Sequence, residues 1–583
     1  MAIIFLFIST FGFSQDVKGT ILEIVENKET PVVGANIYWI DNSGGAISDI
    51  DGKFKLSNPD NKNSYVVSFV GYQNDTLSVV SSDTKIILKA NAELDAVSIR
   101  YNTKSSSVSL LSSANVLNIS SDELLKAACC NLAESFETTP SIDVNFSDGI
   151  SGRKQINMLG LSSPNILMSI ENIPSIRGAL QSYGLTYIPG TWIESLQVAK
   201  GSGSVVNGYE SISGQINAEL RKPLTDDKFF LNLFANQMER LELNTHYTAN
   251  LSQKLDYGLY FHVNKKDTSA DNNNDGFRDD PTGKQLNILN RFQYTNLVYN
   301  SIIGNINNKI KTGISISYDE YDEYVNNLGF NDFDISRIEK SVGAYFEYNY
   351  DNSDKINLSA GIRFDNHNKI GNFISPRFHM NYMVLPKSTI KFSFGKATRL
   401  ANIFSENQKL FYSSREIIFT ENSLPSDFSS MKADQAWNYG VSIINSFKLF
   451  GKESQLILDY YITDFENKVV ADWETPTQIN FYNLTGKSFS NSFQAQFSHT
   501  LSNSIDLLFA YKNTVAETDY SSHGRLKNPL TPSDRIFFNV AYDGPTNDKG
   551  RNWKCDFTFN HVGKQRVPST QNNPSEYRLS GTS

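Results

Sequence analysis

From about Phe229 onward the chain runs in segments of about ten residues in which apolar and polar residues alternate. RLELNTHYTANL puts Leu241, Leu243, Thr245, Tyr247, Ala249 and Leu251 on one face of a strand. Glu242, Asn244, His246, Thr248 and Asn250 fall on the other. KSVGAYFEYNY, KINLSAGIRFD, NSIDLLFAYKN and DRIFFNVAYD repeat the pattern. Strands with an apolar outer face and a polar inner one are what a closed barrel in lipid requires. The inward polar groups then need a wet or plugged lumen, because lipid offers them no partners. A soluble β-propeller would show a repeat of fixed period, and none is legible.

Composition agrees with a barrel and excludes much else. Charged residues make up 20% of the 583, aromatics 12%, and no run of eighteen apolar residues exists, so no helical span is expected. A net charge of −9 removes the basic face a nucleic-acid binder needs. Three Cys cannot build a disulfide framework. Seven His, the first of them His246, are too scattered for zinc chemistry, and no Ser-His-Asp, paired-carboxylate or HExxH arrangement stands out. The chain does not read as an enzyme, and no cofactor is required.

MAIIFLFISTFGFSQ (1–15) has the length of a signal-peptide core and ends in small and polar residues. It predicts export, with cleavage near Ser14 or Gln15. Residues 16–100 then read as a small all-β sandwich. DVKGTILEIV, PVVGANIYWI, SYVVSFVGY and TKIILKA are short strands, and Asp51-Gly52 signals a hairpin. Gly19, Pro31 to Ile37, Ser48 to Leu56 and Ser68 to Tyr72 resemble the carboxypeptidase regulatory-like (carboxypeptidase D-like) domain, an immunoglobulin-like sandwich. The segment holds no His, so it lacks the ligands a zinc peptidase needs.

Residues 101–222 read as a linker and an α/β segment. SSDELLKAACCNLAESFETTP has Ser121 as a cap and Leu124, Leu125, Ala128, Leu132 and Phe136 at helical spacing. Cys129 and Cys130 project ~100° apart on such a helix and read as packing. After it come LGL, a turn before Pro174, WIESLQVAKG (Trp192 to Gly201), NGYESISG (Asn207 to Gly214) and QINAEL (Gln215 to Leu220). That order resembles the plug of TonB-dependent outer-membrane receptors. It departs from the family's usual Arg-Gly at Leu159-Gly160, and from its Asp-Gly-x-Pro at Glu171 to Pro174. Dinucleotide binding by GSGSVVNG lacks the helix that must open on the last Gly.

The resemblance implies a mainly β protein: sandwich, α/β plug, then an antiparallel transmembrane barrel over 223–583. About fifteen to seventeen strands are expected, against the roughly 22 of plugged transporter barrels. The barrel is therefore expected to be truncated or internally deleted, with NRFQYTNLVYNSIIGN as a junction.

Two features carry possible site chemistry. In DTSADNNNDGFRDDP, the oxygens of Asp271, Asn273, Asp275 and Asp279 follow calcium-loop spacing, but Thr282 stands where a bidentate Glu belongs. A structural Ca2+ and a solvated turn are both open. Arg399 and Glu406 match a family pattern near the barrel mouth, either on ligand or paired with neighbours.

By resemblance the function is TonB-dependent active import across the outer membrane of a Gram-negative bacterium. The TonB-ExbB-ExbD complex is the implied partner, with outer-membrane lipid around the barrel. TonB would capture an extended segment before the plug by strand addition. Leu94, Asp95, Ala96, Val97, Ser98, Ile99 and Arg100 are the candidates, with a last sandwich strand as the other reading. Lys200-Gly201 has the form found in metal-chelate and vitamin receptors, which implies a siderophore, metal chelate or cobalamin-like cargo; ligand-contacting residues are not legible. Oligosaccharide or peptide import is the alternative, and a non-transporting surface sensor a third.

Overall fold

The structure, a computed structural model, describes residues 16–568. Outside the described residues are 26–27, 42–43, 59–61, 70–71, 73–74, 80–82, 89–105, 110–112, 127–130, 148–152, 237–238, 253–254, 268–270, 272–281, 295–306, 326–332, 353–354, 414, 420–430 and 546–551. The leader, the Leu94–Arg100 segment, Cys129, Cys130, Asn273, Asp275 and Asp279 all lie outside them, as does most of the junction segment. Two compact units divide between Asn102 and Thr103.

The first unit holds β1 (Val17–Val25), β2 (Lys28–Pro31), β3 (Asn36–Trp39), β4 (Gly45–Ile47), β5 (Lys53–Leu56), β6 (Ser64–Ser68), β7 (Asp75–Ser78) and β8 (Thr84–Ile87). β1, β2, β5 and β8 form one four-stranded sheet; β4-β3-β6-β7 form the other. Alternation in each strand sends Ile21, Ile37, Trp39, Phe54, Tyr65 and Val67 into one shared core. The expected Asp51-Gly52 hairpin is corrected, because β4 and β5 lie in different sheets. Asp49 Oδ1 accepts the N–H groups of Asp51 (3.0 Å) and Lys53 (2.9 Å), so the same turn chemistry closes a corner between sheets. Gly52, at φ 74°, takes the left-handed position.

The second unit begins with β9 (Ser106–Val108), β10 (Val116–Ser120), β11 (Asp143–Phe146), β12 (Lys154–Met158), β13 (Leu161–Ser162), β14 (Ile166–Ile170), β15 (Ile173–Ile176), β16 (Ile193–Lys200) and β17 (Gly214–Leu220). A mixed sheet β15-β14-β17-β16-β10-β9 and a small sheet β11-β12-β13 close around Ile119, Phe136, Ile156, Leu196 and Ile216. The expected helix is shorter in the described residues: Ser121–Lys126 is α-helical, and Glu134–Phe136 is a 3-10 turn. Asn131 Oδ1 accepts the Glu134 N–H at 3.1 Å and starts that turn afresh. Leu124, Leu132 and Phe136 are all buried, so the apolar spacing reads burial through two turns instead of one helix.

The wall comes in two sheets. β18 (Phe229–Ala235), β19 (Arg240–Ser252), β20 (Leu255–Lys266) and β21 (Gly283–Tyr294) pair in sequence. The other contains β22 (Asn308–Val325), β23 (Phe333–Asn352), β24 (Ile356–His367), β25 (Gly371–Leu385), β26 (Ser388–Arg399), β28 (Asp434–Leu449), β29 (Lys452–Asn467), β32 (Ser488–Ser502), β33 (Ile505–Tyr520), β35 (Asp534–Asp543) and β36 (Lys554–Val562). These eleven neighbour one another in that order, with β34 (Gly524–Lys527) beside β33, while β27 (Glu416–Phe419), β30 (Val469–Asp472) and β31 (Gln478–Asn483) pair above them. Among the described residues no ladder joins β21 to β22, or β36 to β18.

Alternation sorts the faces as expected. Leu241 (61% exposed) and Tyr247 (53%) point outward, while Glu242, Asn244, His246 and Thr248 are buried. On β24 Ile362 and Phe364 face out, and Arg363, Asp365 and His367 face in. Connections of two or three residues after Ser252, Asn352, Leu385, Leu449 and Ser502 share one end, and the longer connections 399–434, 467–488 and 520–534 the other. In barrels of this type the long-loop end faces outside the cell.

Candidate functional site

A cavity of about 230 Å3 opens at the long-loop end, between the tip of the plug and the upper ends of β26, β28 and β33. The plug contributes Gln155 and Asn157 from β12 and Tyr183 from the turns after β15. Tyr183 is fixed by the Arg153 guanidinium, 3.7 Å above its ring. From the wall side come Trp473 and Tyr520, with Lys409 5.8 Å from the Trp473 ring and Arg566 5.9 Å from the Tyr520 ring. Aromatic faces beside cations make a shelf for a flat or anionic ligand.

Arg399 and Glu406 meet in this lining, and they meet each other. The guanidinium donates to both carboxylate oxygens, at 2.7 and 2.8 Å, and to Asp434 at 2.8 Å. Glu406 also accepts the Asn402 N–H at 2.7 Å, so the cluster fastens the loop after β26. The lining holds Arg399, Lys409 and Lys468 against Glu406 and Asp434. With both carboxylates engaged by Arg399, the cavity keeps an excess of positive charge. Burial pushes the Lys468 amine down from its ordinary value, opposed by Asp434. Lys468 and Asp434 were not singled out by sequence, since neither stands in a local motif.

Below the cavity the plug is bonded to the wall in many directions. Lys200 forms a buried ion pair with Asp459 on β29. Asn115 donates to Ser442 (2.8 Å), Tyr461 (3.1 Å) and Asp459 (3.2 Å), and Lys391 donates to the carbonyls of Ser109 (2.5 Å) and Ala114 (3.0 Å). Asp143 sits between Lys512 at 2.5 Å and Arg535 at 3.1 Å. Across the lumen Arg291 reaches Glu171 at 2.5 Å, and Arg240 reaches Glu134 at 3.3 Å. These partners run from β19 to β35, so the plug stands within the strands. Gly201 follows Lys200 at φ 78°, and a Cβ there would press on Tyr461 at 3.1 Å, which accounts for the Lys-Gly pair locally.

Known proteins carry the same plan. The family profile described as "TonB dependent receptor-like, beta-barrel" matches residues 180–582. Those for a "TonB-dependent Receptor Plug Domain" and a "CarboxypepD_reg-like domain" match 109–215 and 17–103. The TonB-dependent receptor SusC of Bacteroides thetaiotaomicron is 30% identical over 233 residues, which is 38% of this chain and 22% of that protein. A mutant of the ferric enterobactin receptor PfeA of Pseudomonas aeruginosa, in complex with enterobactin, superposes with a TM-score of 0.59 at 14% identity, covering 78% of this chain and 88% of that one. FpvA of P. aeruginosa bound to heterologous pyoverdines gives 0.50 at 12%, covering 78% and 80%. At these identities the two structures show the fold.

Proposed function

Since this chain belongs to the TonB-dependent receptor family, we propose that it imports a compact anionic metal chelate, siderophore-like or cobalamin-like, across the outer membrane of a Gram-negative bacterium. The observation that carries this reading is the mouth cavity, about 230 Å3, with three cationic side chains against two carboxylates and a Tyr-Trp-Tyr shelf. A cavity of this size seats one face of a ligand, so the reading rests on its charge and its aromatic faces.

A lumen filled by a bonded plug passes nothing until the plug shifts. The outer membrane has no ATP, so the work has to arrive by contact. TonB, driven by ExbB and ExbD, supplies it by pairing with Leu94–Arg100, an extended run that draws affinity from main-chain hydrogen bonds. The acidic loop of Asp271, Asn273, Asp275 and Asp279, as a solvated turn or as a structural calcium loop, has no part in transport in this account. Oligosaccharide or peptide import is the second reading.

The test is growth of a strain lacking the gene, and of its complemented parent, under metal limitation with single chelates, and separately on oligosaccharides as sole carbon source. The account expects a growth defect with one or more metal chelates and none on glycans. A defect on a glycan alone, with every chelate used normally, overturns the cargo assignment.

A further inference from the structure

A second cavity, of about 200 Å3, lies between the plug and strands β22–β24. Pro174, Asn207 and Tyr209 line it from the plug, and Ser315, Ser317 and Ser341 from the wall. At β29, β33 and β35 the plug is bolted directly to the strands by buried charges. At β22–β24 this cavity sets part of it off from the strands, and the direct bonds there are single ones, Ser204 Oγ to Glu347 at 2.6 Å and Arg363 to the Val205 carbonyl at 3.4 Å.

One cluster spans this stand-off. Arg177 of the plug grips Glu210 through Nε at 2.8 Å and Nη2 at 3.0 Å, and reaches Asp319 on β22 through Nη1 at 3.2 Å. Its Nη2 also donates to the Tyr209 hydroxyl at 3.2 Å. Glu210 beside Arg177 holds the guanidinium well above its ordinary value, and burial pushes the Tyr209 hydroxyl up to about 12. Both stay in their bonding forms at any physiological pH. Tyr209 stands edge-on to Phe373, 5.0 Å between ring centres, and closes the upper end of the space.

The segment held by this cluster is GSGSVVNG, the glycine-rich stretch for which dinucleotide binding failed. Gly208, at φ 129°, gives it a joint next to Tyr209 and Glu210. On the neighbouring β25, Arg377 also holds it, donating to the carbonyls of Gly203 (3.1 Å) and Ser204 (2.7 Å). Arg377 Nε and Nη2, Ser202 Oγ, Ser375 Oγ and His379 Nδ1 are buried there without a hydrogen-bond partner. Buried polar atoms in that state ask for water, so the edge of this seam at β25 is suited to hydration.

We propose that cargo passes the plug along the β22–β24 wall, through the space opened when residues 201–210 swing off the strands, and that the Arg177–Glu210–Asp319 cluster is the bolt that keeps this path shut. The proposal rests on the import reading, but its test needs neither cargo nor TonB. The full chain, with Cys129, Cys130 and Cys555 changed to Ser, is placed in planar lipid bilayers in KCl, and ion conductance is the probe. Arg177→Gln leaves Glu210 buried without its counter-ion. It should raise the open fraction by roughly two orders of magnitude, the scale of breaking a buried pair from one side. Asp143→Asn with Lys512→Gln, on the far wall, should leave the protein closed.

A cationic thiol reagent at Ser317→Cys should then block the current, and the same reagent at Thr514→Cys on β33 should not. In the parent background, sub-denaturing urea should speed labelling of Ser317→Cys before Thr514→Cys, which reads the same order where Arg177→Gln fails to assemble. Equal leakage from both charge-pair variants, or block and early labelling at Thr514→Cys, overturns the assignment.

Discussion

Asp459→Asn isolates one plug-to-wall bond. Asp459 is 2% exposed and Lys200 7% by side chain, and the Asn115 amide, at 3.2 Å, supplies a further donor to the carboxylate. Asn keeps the shape and leaves Lys200 as a buried charge without its counter-ion. Breaking a buried pair from one side costs about 3–5 kcal/mol. The retained amide oxygen still accepts a bond, which places the loss near about 3 kcal/mol, or about a hundredfold in an opening equilibrium. Lys200→Met with Asp459→Leu removes both charges and should cost within about 1 kcal/mol of nothing. Hydrogen exchange read by mass spectrometry over β16 reports the opening of the plug, with β6 of the sandwich as an internal reference. Unchanged protection in the single variant, or a double variant as damaged as the single, would refute the reasoning.

Three other outcomes follow from the same structure. Ile362→Arg, on the outward face of β24 where Ile362 is 51% exposed, should destabilise the folded barrel in lipid vesicles by about 2–4 kcal/mol in urea titrations; no change would mean that this face does not meet lipid. Lys468→Glu reverses the charge excess of the mouth and should weaken binding of an anionic chelate by tenfold or more, about 1.4 kcal/mol, with barrel stability intact; equal affinity removes Lys468 from the site. Val97→Pro takes one backbone donor from the segment offered to TonB and fixes φ, so uptake should stop while surface binding persists, and wild-type uptake would place the capture point elsewhere.

The strand faces were legible because burial in a barrel follows a period of two: Glu242, Asn244, His246 and Thr248 are inward as the pattern requires. Arg399 and Glu406 were legible as mouth residues only through the family pattern they match, and the structure pairs them with each other. The Asp51-Gly52 turn misled because turn chemistry is local, while the choice of sheet for β4 and β5 depends on β1 and β3. Helical spacing over 121–136 misled for a related reason, as two short turns bury Leu124, Leu132 and Phe136 equally well. Asp459 was illegible as the partner of Lys200. The two are separated by 259 residues, and an inward charge on an alternating strand carries no mark of what it meets across the lumen.

The central claim is energised import, and it is measured most directly by metal content of washed cells. Cells that express this chain are given a metal chelate that supports their growth, with functional TonB, without TonB, and with a protonophore, and intracellular metal is separated from surface-bound metal and counted. The account predicts surface binding in all three and intracellular accumulation only with TonB and an intact proton gradient. Accumulation that persists without TonB, or binding that never leads to accumulation under any condition, would contradict it.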